Sequence, residues 1–259
     1  MPGFETGYLA SGRVPYVRGG AGAKEAVVFS GVNALLKPLH SNPERYARQV
    51  SRLLPHHRFT ILGYASSRYE DIVADMAAAV ATPPDVLMGI SFGGFVAMRF
   101  AALHPELVRR LILLVSAHRF SAGGVLRIER QLEKLRHNDL KTFLRENATM
   151  FRRPWYNWLV RLRLLRVSLG DYRPAAQVLA DYEQLLGPAL DENAEYCRRI
   201  SCPTLVLGAG GDPLFDETAL EETAGLISKS RLSVFANEAH MLPIEKREAV
   251  ANVIGEFLR

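Results

Sequence analysis

The chain has 259 residues, of which 48% are hydrophobic and 23% charged, a composition that excludes a largely disordered protein and is sufficient for one sizeable core. Its net charge of +5 is not spread evenly: residues 119–173 hold 13 Lys/Arg against 5 Asp/Glu, and the remainder is slightly acidic. A nucleic-acid binder with a uniform basic face is thereby excluded, and the excess belongs to one substructure.

Other classes drop out as quickly. The longest clean apolar run, Leu111 to Val115, is strand-sized and far below a membrane span, so no stable membrane insertion is expected. Met1 to Lys24 shows neither a basic n-region nor an apolar h-region, which argues against a signal peptide and for a cytoplasmic protein. Two cysteines, Cys197 and Cys202, exclude a disulfide scaffold and a four-Cys zinc site.

In chain order, Glu5–Ala10 and Arg13–Arg18 around Ser11-Gly12 predict an antiparallel hairpin. A buried strand at Ala26–Phe29 precedes a helix at Asn42–Leu54, opened by Asn42 as N-cap and Pro43 as first helical residue. Strand Phe59–Leu62 and helix Tyr69–Val80 follow, then strand Val86–Ile90, a small-residue-rich helix Phe92–Leu103, and strand Arg109–Val115. From 116 to 199 there is helical periodicity and no convincing strand. The alternation resumes with strand Thr204–Leu207, helix Glu217–Ile227, strand Leu232–Phe235 and a closing helix Glu245–Leu258. Strands alternating with helices predict a mainly parallel sheet. The expected organisation is a core made of 1–115 and 200–259, with a helical cap at 116–199.

Gly89-Ile90-Ser91-Phe92-Gly93 fits G-x-S-x-G between a predicted strand and a predicted helix. In that context the serine sits on a strained turn above the carboxyl end of the sheet, and the Phe92 N–H points at developing negative charge. A serine hydroxyl needs a base. Of seven histidines, His240 lies just past the last predicted strand, on the same sheet edge; His104 is at the far end of a helix, and His118 is placed to touch a substrate. The base in turn needs a carboxylate to hold its tautomer. Asp212, presented by Gly208-Ala209-Gly210-Gly211, is favoured over Asp216, whose natural role is the N-cap of the next helix.

With Ser91, Asp212 and His240 in that order, the sequence resembles the α/β-hydrolase superfamily. Further matching stretches are Val27–Gly31, Tyr69 to Asp75, His104-Pro105-Glu106 with Val108 to Leu114, Cys202–Pro213 and Glu238–Leu242. The resemblance implies a mostly parallel eight-stranded sheet with helices on both faces and a cap after the sixth strand. It also implies an oxyanion donor after the third strand. The family's usual His-Gly is Ser30-Gly31 here, so the backbone N–H of Val32 is the expected donor, with Asn33 as the alternative. The loop Gly63–Arg68 is shorter than usual and leaves a wider pocket. Asn33, His118, Trp155, Trp158 and Met241 are candidate substrate contacts.

The expected activity is a serine hydrolase acting on an ester, thioester or lactone of a small molecule through an acyl-enzyme, without cofactor or metal. The alternative is a non-hydrolytic step, such as a cyclase, lyase or decarboxylase reaction on the same fold. Family members that use an aspartate nucleophile are excluded by Ser91. The partner is a small-molecule substrate, anionic or carrier-bound if the basic cap faces the pocket; a homo-oligomer is left open.

Trp155, Trp158, Leu159, Leu162, Leu165 and Leu169 follow helical spacing. Three readings of this stripe stand side by side. It packs the cap on the core, it borders a basic pocket mouth, or it lies on a membrane surface, the last opposed by Val160, Leu164 and Val167 on the other face.

Overall fold

The computed structural model describes residues 3–166, 168–187, 190 and 192–259. Eight strands form one sheet: β1 (Glu5–Leu9), β2 (Val14–Gly20), β3 (Lys24–Phe29), β4 (His57–Leu62), β5 (Val86–Ile90), β6 (Leu111–Leu114), β7 (Thr204–Ala209) and β8 (Ser230–Phe235). Their spatial order is β1-β2-β4-β3-β5-β6-β7-β8. β1 and β2 are antiparallel, as is β2 against β4; every pairing from β4 through β3 to β8 is parallel. The hairpin, the parallel sheet and the strand positions expected from the sequence are all present, with ends shifted by up to two residues.

The central strands are apolar on both sides, as parallel strands covered by helices must be. β6 is Leu-Ile-Leu-Leu, and all four side chains are buried. Between the strands lie α1 (Asn33–Leu36), α2 (Pro43–Leu53), α3 (Tyr69–Ala79) and α4 (Phe92–Leu103). After β6 come α5 (Ala122–Arg136), α6 (Leu140–Ala148), α7 (Pro154–Leu165), α8 (Ala175–Leu186) and α9 (Asn193–Arg199). The chain closes with α10 (Glu217–Leu226), α11 (Leu242–Glu245) and α12 (Arg247–Leu258). α2 packs with α12, whereas α3, α9 and the buried α4 form a second group joined by α10.

Local signals set most helix ends. Ser121, Asp139 and Asp216 cap α5, α6 and α10, each accepting a backbone N–H three residues on. Asn42 does not: Pro43 is at N1, but the Asn42 side chain makes no capping bond. The short α1 was not anticipated, because four residues carry too little periodicity to read.

The segment 116–199 holds five helices and no strand among its described residues. Arg99 of α4 ties its end to the sheet layer. That guanidinium is buried, bonds Asn193 Oδ1 at 3.0 Å, and lies over the rings of Tyr69 and Tyr196.

The tryptophan stripe does not pack the insertion onto the core. Trp155 and Trp158 are 50% and 60% exposed, and Leu159, Leu162 and Leu165 also face solvent. The half-buried face of α7 is the other one, with Tyr156, Asn157, Val160 and Leu164. Asn157 decides this, because its side chain accepts from Phe151 N (3.0 Å) and donates to Phe151 O (2.9 Å). Val167 lies outside the described residues.

Candidate active site

Parallel strands end on the same edge, and four of them deliver the site there. β5 runs straight into Ser91, whose φ of 53° and ψ of −119° place it in a region that side chains rarely occupy. Such a residue costs of order 1–3 kcal/mol and persists only when its surroundings over-determine it. Here they do. Ser91 N donates to Leu114 O (2.9 Å), and Gly94 N donates to Ser91 O (2.8 Å). A Cβ on Gly93 would stand 2.1 Å from Phe29 O, and one on Gly89 would stand 2.5 Å from Gly93 O. Only glycine allows strand and helix to approach so closely.

Ser91 Oγ is 3.0 Å from His240 Nε2, and His240 Nδ1 is 2.7 Å from Asp212 Oδ2. Next to a carboxylate, Nδ1 carries the hydrogen, so Nε2 is free to accept from the serine hydroxyl. Asp212 Oδ1 accepts from Leu214 N (2.8 Å) and Phe215 N (3.3 Å), which fixes the rotamer that offers Oδ2 to the imidazole. Asp212 and His240 are both buried. The loops after β7 and β8 are bonded to each other through Gly210 N to Phe235 O (3.1 Å) and Gly211 N to Glu238 O (3.0 Å). Asp216 is occupied elsewhere, capping α10 through Ala219 N at 2.9 Å.

The turn after β3 comes up beside the serine: a Cβ on Gly31 would lie 3.5 Å from Ile90 O and 3.8 Å from Ser91 Cβ. Among the described residues, the backbone amides of Val32, Asn33 and Phe92 all have no backbone partner. Asn33 N–H lies one position further, at the first residue of α1. Ser30 stands where the resemblance expected histidine, and it does organise the loop. Its hydroxyl donates to Leu62 O (2.6 Å), and Tyr64 Oη donates to Ser30 O (2.5 Å). The Tyr64 ring meets Phe92 edge-on, so the shortened loop after β4 braces both the turn and the elbow. Burial pushes the Tyr64 phenol well above its ordinary pKa of 10.0, leaving it a neutral donor.

An aromatic wall backs the histidine: Phe215 lies 5.9 Å from the His240 ring, 5.3 Å from Phe120 and 5.7 Å from Phe95. Sequence reasoning missed Tyr64, Phe120 and Phe215. Phe215 had a signal, three residues past Asp212 in the same loop; the other two had none.

The remaining candidates are placed differently. Met241 follows His240, and its N–H donates to Met150 O (3.2 Å), joining the histidine loop to the helical insertion. His118 is turned away: Nδ1 and its backbone N–H both sit 2.9 Å from Thr223 Oγ1 of α10, with Glu222 at 3.8 Å. Burial lowers its pKa below the ordinary 6.5, so it is a neutral structural residue there. Trp155 and Trp158 point to solvent. Arg152 is not a free cation at a pocket mouth; it bonds the buried Glu238, two residues before His240, at 3.1 Å.

Comparison with known proteins agrees with this architecture. The family model described as alpha/beta hydrolase fold matches residues 63–247, and the chain belongs to that family. The 2-hydroxymuconate semialdehyde hydrolase of Pseudomonas sp. (strain CF600) is 27% identical over 204 residues, covering 75% of this chain and 70% of that protein. A pimeloyl-[acyl-carrier protein] methyl ester esterase of Xanthomonas oryzae pv. oryzae (strain MAFF 311018) is 36% identical over 89 residues, 30% of this chain and 34% of that protein. The enol-lactonase from Burkholderia xenovorans LB400 superposes with a TM-score of 0.73 at 18% identity, covering 98% of this chain and 99% of that one, a likeness of fold.

Proposed function

We propose that the chain is a serine hydrolase that cleaves an ester, thioester or lactone of a small molecule through an acyl-enzyme at Ser91. The observation that carries the reading is the hydrogen-bonded series Ser91 Oγ, His240 Nε2, His240 Nδ1, Asp212 Oδ2, mounted on a strained turn with the unbonded amides of Val32 and Phe92 among those nearby. Relatives named as a hydrolase and a methyl ester esterase support the reaction class.

The steps follow from the geometry. His240 Nε2 takes the Ser91 proton as Oγ attacks the carbonyl carbon, and the imidazolium is stabilised by Asp212. The Val32 and Phe92 N–H groups receive the oxyanion, each worth about 3–4 kcal/mol in transition-state stabilisation. His240 then gives its proton to the leaving oxygen or sulfur. Water, deprotonated by the same nitrogen, releases the acid and restores Ser91. Phe215 and the buried position of His240 keep bulk water from screening these charges. In this reading residues 116–199 form the cap over the site, joined to it through Met150 and Glu238.

Fluorophosphonate labelling and a panel of p-nitrophenyl esters test the assignment. The probe is expected to attach at Ser91, and Ser91→Ala to lower kcat by on the order of 10⁴–10⁶ with the fold intact. Full activity of Ser91→Ala on the panel overturns it.

A further inference from the structure

Helix α7 is unusual in this chain because it has no fully buried residue, yet its outer face is apolar. Arg152 is held by Glu238, and the exposed residues between 153 and 166 are four arginines, two tryptophans, three leucines and one proline. That face carries no carboxylate and no neutral polar side chain. Trp155, Trp158, Leu159, Leu162 and Leu165 make the stripe, with Arg161 and Arg163 on its two flanks at 3.6 residues per turn. The apolar residues on the other face, Val160 and Leu164, argue from sequence against an interfacial helix. In the fold they are the side that rests on the protein.

The charge continues beside the helix. A groove of about 440 Å³ between α2, α7 and α12 holds Arg45, Arg48, Arg52, Arg163 and Arg247, with Glu44 as its single carboxylate. Arg163 belongs to both features. The N-terminal end of α7 is fastened to α11, just past His240, with the Glu245 carboxylate accepting from Arg152 N (2.8 Å) and Arg153 N (3.4 Å).

We propose that the outer face of α7, with the arginine groove beside it, docks on the surface of a bilayer containing anionic lipids. Tryptophan and leucine enter the boundary between headgroups and acyl chains, and the arginines extend to lipid phosphates. A second copy of the chain is disfavoured because an isologous contact would set arginine-rich faces against each other. A protein partner would need a strongly acidic surface to meet a face that offers donors alone, whereas an anionic bilayer meets both the arginines and the apolar stripe. Docking here is peripheral, since no helix among the described residues is long and apolar enough to cross a membrane. The proposal stands apart from the hydrolytic reading, and its test needs no turnover.

The chain has only two tryptophans, Trp155 and Trp158, so intrinsic fluorescence reports this face directly. Titration with phosphatidylcholine vesicles containing phosphatidylglycerol is expected to shift the emission to shorter wavelength. The shift should shrink between about 0.01 and 0.15 M salt, as the Debye length falls from roughly 30 to 8 Å. The double variant Leu159→Glu, Leu162→Glu, at exposed sites and with both tryptophans retained, should bind at least about tenfold more weakly, with unchanged thermal unfolding confirming its fold. Replacing Arg45 and Arg163 with Gln should weaken the salt-sensitive part. No shift with anionic vesicles overturns the proposal, as does an equal, salt-insensitive shift with phosphatidylcholine alone. Blue emission without lipid together with a dimer mass assigns the face to a second copy, and a shift produced by soluble acyl-carrier protein but not by vesicles assigns it to an acidic protein.

Discussion

Asp212 and Asp216 are four residues apart, chemically identical, and assigned different work by their neighbours. Asp212 has one oxygen held by two backbone amides and the other on the imidazole. Asp216 spends its carboxylate on the first turn of α10. Asp212→Asn therefore offers an amide where His240 Nδ1–H needs an acceptor, which favours the wrong tautomer. Steady-state kinetics should show kcat lower by on the order of 10⁴ with little change in stability. Asp216→Ala should retain kcat and lose about 0.5–2 kcal/mol in denaturant unfolding. Loss of kcat at 216 and its retention at 212 would reassign the carboxylate. At Gly93 the backbone of β3 leaves no room for a side chain. Gly93→Ala is expected to displace the turn beside Ser91, visible as lost fluorophosphonate labelling even if the protein still folds.

Among the elements, α4 does two jobs along its length. Its N-terminus presents the Phe92 amide, and its middle carries Arg99 to the last helix of the insertion. Arg99 is buried among Asn193, Glu192, Tyr69 and Tyr196, so its side chain works by packing as much as by charge. Arg99→Ala should cost about 3–5 kcal/mol, because it leaves buried polar partners and removes a large packed group. Thermal unfolding measures the loss; a change in Tm of under a degree would show that the insertion is held by other contacts. The residues leading into α7 are tied to the histidine region as well, Arg152 to Glu238 by its guanidinium and Arg152 and Arg153 to Glu245 of α11 by their amides.

For the whole molecule, the pH dependence of folding has a definite sign. Both ring nitrogens of His57 are buried with no hydrogen-bond partner among the described residues. Burial is the largest cause of its lowered pKa, and Lys24 adds to it more than Asp85 offsets. As pH falls, the unfolded chain takes up the proton first, near 6.5. The contribution is therefore complete above that pH and is lost on acidification towards the lower folded value. His118 acts in the same direction. Tm should fall between pH 7 and 5, and His57→Leu should make that fall shallower; an unchanged slope would remove His57 from the account.

Much of this molecule could be read from local sequence, because the features concerned are local in origin. Alternation of short apolar runs with 3.6-residue periodicity determined the sheet and its crossovers, and the glycines around Ser91 marked a turn that only they permit. Once strands β5, β7 and β8 were known to be parallel, the residues just after them had to share one edge, which is why Ser91, Asp212 and His240 meet. Contacts distant in sequence were decided only by tertiary structure. His118 has the position of a site residue, and only the packing of α10 turned it towards Thr223. Tyr64 became a brace because the loop after β4 folds under Phe92, a contact with no periodic signature. In α7 the helical spacing makes the Trp/Leu stripe the stronger apolar face and so points the wrong one at the protein. The bonds from Asn157 to Phe151 chose which face rests on the protein, and so left the tryptophans facing outward.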